Sequence, residues 1–238
     1  MRVLYWDAFA GISGDMALGS LLALGAEPEE IVRQLQSMGL SKFALEVKNR
    51  QVMGIQATDI NVLFTSAHSG NRHLPEIEQM IEKGDLSVRA KEFAIKVFRT
   101  LAQAEARVHG SSIEEVHFHE VGAVDSLVDI VGTAIALDQL GVEKVYVSTL
   151  PWSHGFVECA HGTLPLPAPA AVALLESFEV KESGIEGELI TPTGAALIRA
   201  LAEQSGFPRM TLSRAGYGSG KNHYGIPSLL RAVLGEKG

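Results

Sequence analysis

Residues 3–9 form a short β-prone run that ends in the small, flexible turn Ala10-Gly11-Ile12-Ser13-Gly14 and passes directly into a helical pattern from Asp15 through Leu22. A strand that turns on glycines into a helix is the opening unit of an α/β fold, and the rest of the chain keeps up the alternation. Gly25-Ala26-Glu27-Pro28 breaks the first helix, and residues 29–38 open a second that Gly39 closes. Residues 43–48 and 55–64 alternate apolar and polar side chains about a turn at 49–54, the pattern of an antiparallel pair, so the sheet is expected to be mixed. Helical periodicity follows over 75–83 and 87–109. Then come an apolar helix at 125–140 stopped by Gly141 and a strand at 145–150. A Gly-, Pro- and His-rich loop is expected at 151–169, a helix at 170–178, a strand at 186–191 and a helix at 193–203. The expected fold class is α/β, a mixed sheet with helices packed on it.

Composition narrows the function. The chain has 238 residues, 46% of them hydrophobic and 20% charged, enough to bury a sizeable core and too apolar for disorder. Asp7 interrupts the start before a signal-peptide core can form, and no run of 18 apolar residues follows. A cytoplasmic protein without membrane contact is expected. The single cysteine, Cys159, makes neither an internal disulfide nor a thiolate-rich zinc site, so a metal must be held by histidines and carboxylates, a set that suits a first-row divalent ion or magnesium. A formal charge of −8 without a Lys/Arg cluster argues against nucleic acid as partner.

Five segments carry candidate chemistry. Asp7 stands at the carboxyl end of the first strand, where ligand sites of open α/β sheets gather. Beside it, Gly11, Ser13 and Gly14 precede a helix, where backbone N–H groups converge on an anion; the same residues also suit a tight turn with Ser13 or Asp15 as helix cap. In Val116-His117-Phe118-His119-Glu120, strand geometry would put both imidazoles on one face about 6.6 Å apart, at about 3.3 Å per residue, and Glu120 on the other. Asp125 and Asp129 follow at i and i+4 of a helix, a repulsive pair unless a cation lies between them or the helix dipole offsets it. His117, His119, Asp125 and Asp129 are thus the candidate metal ligands. The loop from Trp152 through His154, Cys159 and His161 to Thr163 offers further donors, with Cys159 expected as a small buried hydrophobe. Thr191, Thr193 and Gly194 lead from a strand end into a helix and offer an anion site or an ordinary N-cap. Gly216-Tyr217-Gly218-Ser219-Gly220-Lys221 is a glycine run with one cation, suited to a phosphate contact or a linker.

Four blocks together resemble one family. Tyr5-Trp6-Asp7-Ala8-Phe9-Ala10-Gly11-Ile12-Ser13-Gly14-Asp15-Met16, Val116-His117-Phe118-His119-Glu120-Val121-Gly122-Ala123-Val124-Asp125-Ser126, His161-Gly162-Thr163-Leu164-Pro165-Leu166-Pro167-Ala168-Pro169-Ala170 and Glu188-Leu189-Ile190-Thr191-Pro192-Thr193-Gly194-Ala195 are similar, in this order, to the nickel-insertion proteins of nickel pincer cofactor biosynthesis. The resemblance implies a cyclometallase that places Ni²⁺ in pyridinium-3,5-bisthiocarboxylic acid mononucleotide, forming one nickel–carbon and two nickel–sulfur bonds while CTP is consumed. It implies Asp7 or Asp125 as base and His117, His119, Asp125 and Asp129 toward nickel. Gly11, Ser13, Gly14, Thr191, Thr193 and Gly194 would lie toward the nucleotide. It implies residues 1–215 as the insertion domain and 216–238 as a junction toward a C-terminal domain of the same protein, which would handle CTP with Mg²⁺ or Mn²⁺. The apo form of a lactate racemase is the implied acceptor of the product. Many relatives carry a long His-rich insertion where this chain has only residues 65–73, with His68 and His73, so nickel storage there is not expected. Two other readings share the same residues: a metal-dependent phosphohydrolase built on His117, His119, Asp125, Asp129 and Asp7, and a non-enzymatic nickel carrier.

Overall fold

A computed structural model describes residues 1–40, 43–64, 72–113, 116, 118, 124–159 and 162–238. Its centre is a mixed sheet of seven strands in the order β2-β3-β10-β11-β1-β4-β9. These are β2 (Phe43–Val52), β3 (Ile55–Phe64), β10 (Thr211–Ser219), β11 (Leu229–Glu236), β1 (Arg2–Asp7), β4 (Lys144–Val147) and β9 (Ala202–Gln204). β1 runs parallel to β4 and antiparallel to β11, β10 is antiparallel to β11 and parallel to β3, and β4 is parallel to β9. The carboxyl ends of β1, β3, β4, β9 and β10 therefore share one edge, and the loops leaving that edge build the site described below.

Helices cover one face. α1 (Gly14–Ala23) lies directly on β10, β3 and β11; α5 (Val124–Gln139) packs on α1, and α4 (Val88–His109) on α5, with α2 (Pro28–Ser37), α3 (Leu74–Lys83) and α7 (Pro192–Leu201) at the flanks. The apolar sequence of α5 explains its place: Leu127, Val128, Ile130, Val131, Ala134, Ile135 and Leu137 are all buried because the helix has neighbours on every side. α4 is bounded by its own chemistry. The Ser87 hydroxyl accepts from the Ala90 N–H at 3.0 Å, and Gly110 ends the helix in the left-handed region at φ 64°. Met53 and Gly54, at φ 50° and 84°, close the β2–β3 hairpin with a two-residue turn of the hand that suits strand twist.

Several expected boundaries are corrected. The strand expected at 145–150 is two: β4 ends at Val147, where the Ser148 side chain and backbone bond to loop and connector partners, and β5 (Leu150–His154) pairs with β8 (Val180–Glu186) in a separate sheet. The loop expected at 151–169 contains a hairpin, β6 (Phe156–Cys159) with β7 (Gly162–Pro165), strands too short to announce themselves among Gly and Pro. The strand expected at 186–191 stops at Glu186, because Gly187 turns at φ 136° under the Tyr224 ring; only Ile190 bridges onward, to Ile12. α6 (Pro169–Leu174) is shorter than the helix expected at 170–178, and Ser177 turns at φ 71°. Within the segment expected as a junction, 216–219 end β10, 220–228 form a loop, and β11 is a central strand whose Leu230, Ala232 and Leu234 are fully buried. No helix among the described residues is long and apolar enough to cross a membrane.

Candidate functional site

The turn after β1 is built against the segment before α7. Ile12 N–H donates to the Leu189 carbonyl at 2.9 Å and the Thr191 N–H donates to the Ile12 carbonyl at 3.2 Å. Gly11, at φ 89°, passes so close to Leu189 that a Cβ would overlap its carbonyl oxygen, and a Cβ on Gly194 would overlap the Ile12 carbonyl. The glycines expected to cradle a phosphate thus serve to weld two loops. The weld brings the N-termini of α1 and α7 side by side, with Ser13 and Thr191 as their N-caps; Thr191 Oγ1 accepts from Gly194 N–H at 3.1 Å, and Thr193 is buried behind it.

A cavity of about 140 Å³ opens between these helix ends and the loop after β10. Ala10, Ser13, Asp15, Met16, Glu188 and Leu189 form part of its wall. Thr191, Lys221, Asn222 and Tyr224 face it from the other side. Tyr224 donates its hydroxyl to the Glu188 carbonyl at 2.9 Å and accepts from the Asn222 amide at 2.9 Å, fixing the loop to the connector. Lys221 is held by Asp59 at 2.7 Å, the Ile60 carbonyl at 2.6 Å and Asn61 at 3.0 Å. Burial works against the charge of Asp59, but hydrogen bonds from Lys221 and Ser219 hold its carboxyl below the usual range.

Asp15 lines the cavity, Asp129 lies against the neighbouring Gly14, and among the described residues neither is ion-paired. Asp15 Oδ1 accepts from the Ser13 hydroxyl and from the Met16 N–H at 2.9 Å. Asp129, on α5, lies against Gly14, where an added Cβ would come within 2.5 Å of its Oδ2. Its Oδ1 is out of solvent and meets no hydrogen-bond donor among the described residues. Burial raises the Asp15 carboxyl above its ordinary value, and it raises Asp129 far more, with the negative charges of Asp15 and Asp125 adding to the effect and Lys221 opposing it. Asp125 is exposed, its Oδ1 accepting the Ser126 N–H at 2.9 Å.

The other expected site residues are dispersed. Along β1, Leu4 and Trp6 enter the main core while Val3 and Tyr5 join a small cluster with Tyr146 and Val233 across the sheet from α1; Asp7 continues that second row and is ion-paired with Arg231, whose Nε donates at 3.0 Å. His117, His119 and Glu120, with His161 and His68, lie outside the described residues. Their neighbours Val116 and Phe118 are buried, Phe118 edge-on to Phe98 and bridged to Arg72. Cys159 sits half-buried on β6 and donates to the Gly162 carbonyl at 3.3 Å, which corrects the buried role expected for it. His73 heads α3. Among the described residues no three His, Cys, Asp or Glu side chains form a metal-binding group. The sequence reading gave no role to Glu188, Asn222 and Tyr224, although Glu188 opens the block that ends in Ala195 and the glycine run ending in Lys221 stands directly before Asn222.

Comparison with known proteins agrees with these motifs. Residues 4–238 match the family described as nickel insertion protein. A putative nickel insertion protein of Geobacter sp. (strain M21) is 50% identical over 239 residues, covering 100% of this chain and 62% of that protein. Pyridinium-3,5-bisthiocarboxylic acid mononucleotide nickel insertion proteins of Acetivibrio thermocellus and Staphylococcus epidermidis (strain ATCC 12228 / FDA PCI 1200) are 44% and 42% identical, each covering 99% of this chain and 61% and 60% of their own lengths. The chain thus spans about three fifths of the relatives it matches. No solved structure matches it. A match running through β1, the welded loops around the cavity and β11 shows that the chain belongs to the nickel insertion protein family.

Proposed function

We propose that this chain carries the insertion step of a cytoplasmic nickel cyclometallase of the lyase class. Ni²⁺ and pyridinium-3,5-bisthiocarboxylic acid mononucleotide are its substrates, joined through one nickel–carbon and two nickel–sulfur bonds. CTP, with Mg²⁺ or Mn²⁺, is consumed in a C-terminal domain of the same protein, and the product passes to an apo lactate racemase. The observation that carries this reading is the meeting of the 10–16, 188–194 and 220–228 segments around one cavity beside the acid pair Asp15 and Asp129. Asp129, with an oxygen buried and unpartnered, is the described residue that most needs a cation; Asp125, His117 and His119 are the further donors proposed for it.

The site also separates tasks. Carboxylates and imidazoles bind a first-row cation less tightly than two sulfurs in a pincer, so nickel held by this set remains transferable to the substrate's thiocarboxylates. Ser13, Thr191 and the paired helix ends offer hydroxyl and amide donors for the nucleotide's polar groups.

Calorimetric titration of Ni²⁺ into the chain, with and without the mononucleotide, tests the reading. Nickel binding is expected to strengthen when the nucleotide is present and to fall roughly 100-fold or more in His117→Ala/His119→Ala and in Asp125→Ala, taking the loss seen on disturbing metal shells as the lower bound. Binding that ignores the nucleotide points to a carrier, and release of phosphate from generic esters without CTP points to a phosphohydrolase; either result overturns the proposal.

A further inference from the structure

The cavity beside α1 measures about 140 Å³, near the ~150 Å³ of an apolar cavity that admits one benzene ring. It accepts a single six-membered ring and leaves the remainder of a nucleotide outside. Ala10, Met16 and Leu189 supply apolar wall and Asp15 a carboxyl, while Lys221, also in the lining, is occupied by Asp59, the Ile60 carbonyl and Asn61, so the wall suits a ring with a fixed positive charge. A pyridinium is such a ring.

Within that lining Asp15 is prepared for one task. Both of its described hydrogen bonds, from the Ser13 hydroxyl and the Met16 N–H, fall on Oδ1, so the carboxylate is oriented while Oδ2 makes no hydrogen bond to the described residues. The residue before it, Gly14, packs against Asp129, the proposed nickel ligand, so the two acids are neighbours. Asp7, by contrast, is engaged with Arg231 across the sheet, and Asp125 stands in solvent.

We infer that Asp15 is the base of the insertion reaction, its Oδ2 removing the hydrogen from the ring carbon between the two thiocarboxylate groups. The C–H bond breaks, an O–H bond forms on Asp15, and the electron pair left on carbon becomes the nickel–carbon bond to Ni²⁺. Nickel keeps its oxidation state, and no oxidant or reductant is required. This assignment rests on the nickel-insertion reading above.

The test follows the ring proton. The mononucleotide is incubated in D₂O with Ni²⁺ and the chain, and NMR records the loss of the ring-proton signal, whether by exchange or by nickel–carbon bond formation, against a blank of Ni²⁺ alone. The unmodified chain is expected to exceed the blank. Asp15→Asn is expected to slow the loss by about 100-fold or more when measured at saturating nucleotide, since the same substitution also takes one negative charge from the cavity wall. Asp15→Glu is expected to restore part of the rate with a shifted pH profile, which a merely structural residue would not do. If the unmodified chain binds nickel and nucleotide and exceeds the blank while Asp15→Asn loses the proton at the unmodified rate, the base assignment falls and the nickel-insertion reading stands; a chain that binds both but does not exceed the blank overturns the base assignment and the placing of the insertion step in this chain. If the unmodified chain binds neither nickel nor nucleotide, that reading falls and Asp15 with it.

Discussion

Replacing Asp129 by asparagine is expected to raise the melting temperature of the metal-free chain while removing most of its nickel binding. The carboxyl is held well above the usual range because burial disfavours its charge and Asp15 and Asp125 repel it, and its Oδ1 has no donor among the described residues. An amide of the same shape carries no charge and can donate to either neighbouring carboxylate. Relieving one unsatisfied buried polar group is worth about 1–3 kcal/mol, which at about 2–4 °C per kcal/mol for a chain of this size gives a gain of roughly 3–10 °C at neutral pH. The sign of the pH dependence follows from linkage. A carboxyl whose folded pKa is raised binds its proton more tightly in the folded state, so its contribution to stability is greatest at low pH and is lost as pH rises from the ordinary carboxylate value toward the raised one. The gap between Asp129→Asn and the unmodified chain should therefore open across that interval, and saturating Ni²⁺ should close or reverse it, because only the carboxylate gains a metal. Thermal melts across pH, with and without Ni²⁺, measure this. Equal melting temperatures at every pH would mean that Asp129 already has a partner.

Gly11→Ala is expected to be among the most destabilising single-methyl changes in the chain. At φ 89° an alanine is strained by about 1–2 kcal/mol, and here the new Cβ also overlaps the Leu189 carbonyl, the acceptor of the Ile12 N–H. The two loops must separate, which opens both helix N-termini and the cavity. A loss of about 4 kcal/mol or more is expected, a fall of about 8–16 °C in melting temperature. Gly39→Ala provides the comparison: its φ is 90°, but nothing lies within 4 Å of the added methyl, so it should cost only the backbone strain. Similar losses for the two variants, read by denaturant melts, would show that the loop weld contributes little.

How far the sequence was legible depends on whether a signal was local. The strand–turn–helix opening, the β2–β3 hairpin, α4 with its cap and glycine stop, and the strongly apolar α5 follow from short-range periodicity and capping, and the mixed sheet followed from them. The role of the glycines did not, since a residue lacking Cβ suits a phosphate turn and a loop weld equally, and Leu189 is remote in sequence. The run at 216–220 misled for a related reason. Gly216 and Gly218 lie in a strand against which the α1 backbone packs directly, Gly218 so closely that a Cβ would overlap the Met16 carbonyl; glycine there marks close approach, not flexibility. Asp7 shows the limit of alternation. Period two places it with Val3 and Tyr5, but only the tertiary fold decides which face the helices cover and brings Arg231 to it. The i, i+4 repulsion between Asp125 and Asp129 was readable; that Asp15, far earlier in the chain, completes the acid group was not.

The most direct test of the account is the X-ray absorption spectrum of Ni²⁺ bound to the chain before and after the mononucleotide is added. If His117, His119, Asp125 and Asp129 hold nickel as proposed, nitrogen and oxygen donors alone are expected at first, with imidazole scattering, and two sulfur donors then appear as the thiocarboxylates take the metal. Sulfur in the first spectrum, which would place nickel on Cys159, or a first shell unchanged by the mononucleotide would contradict it.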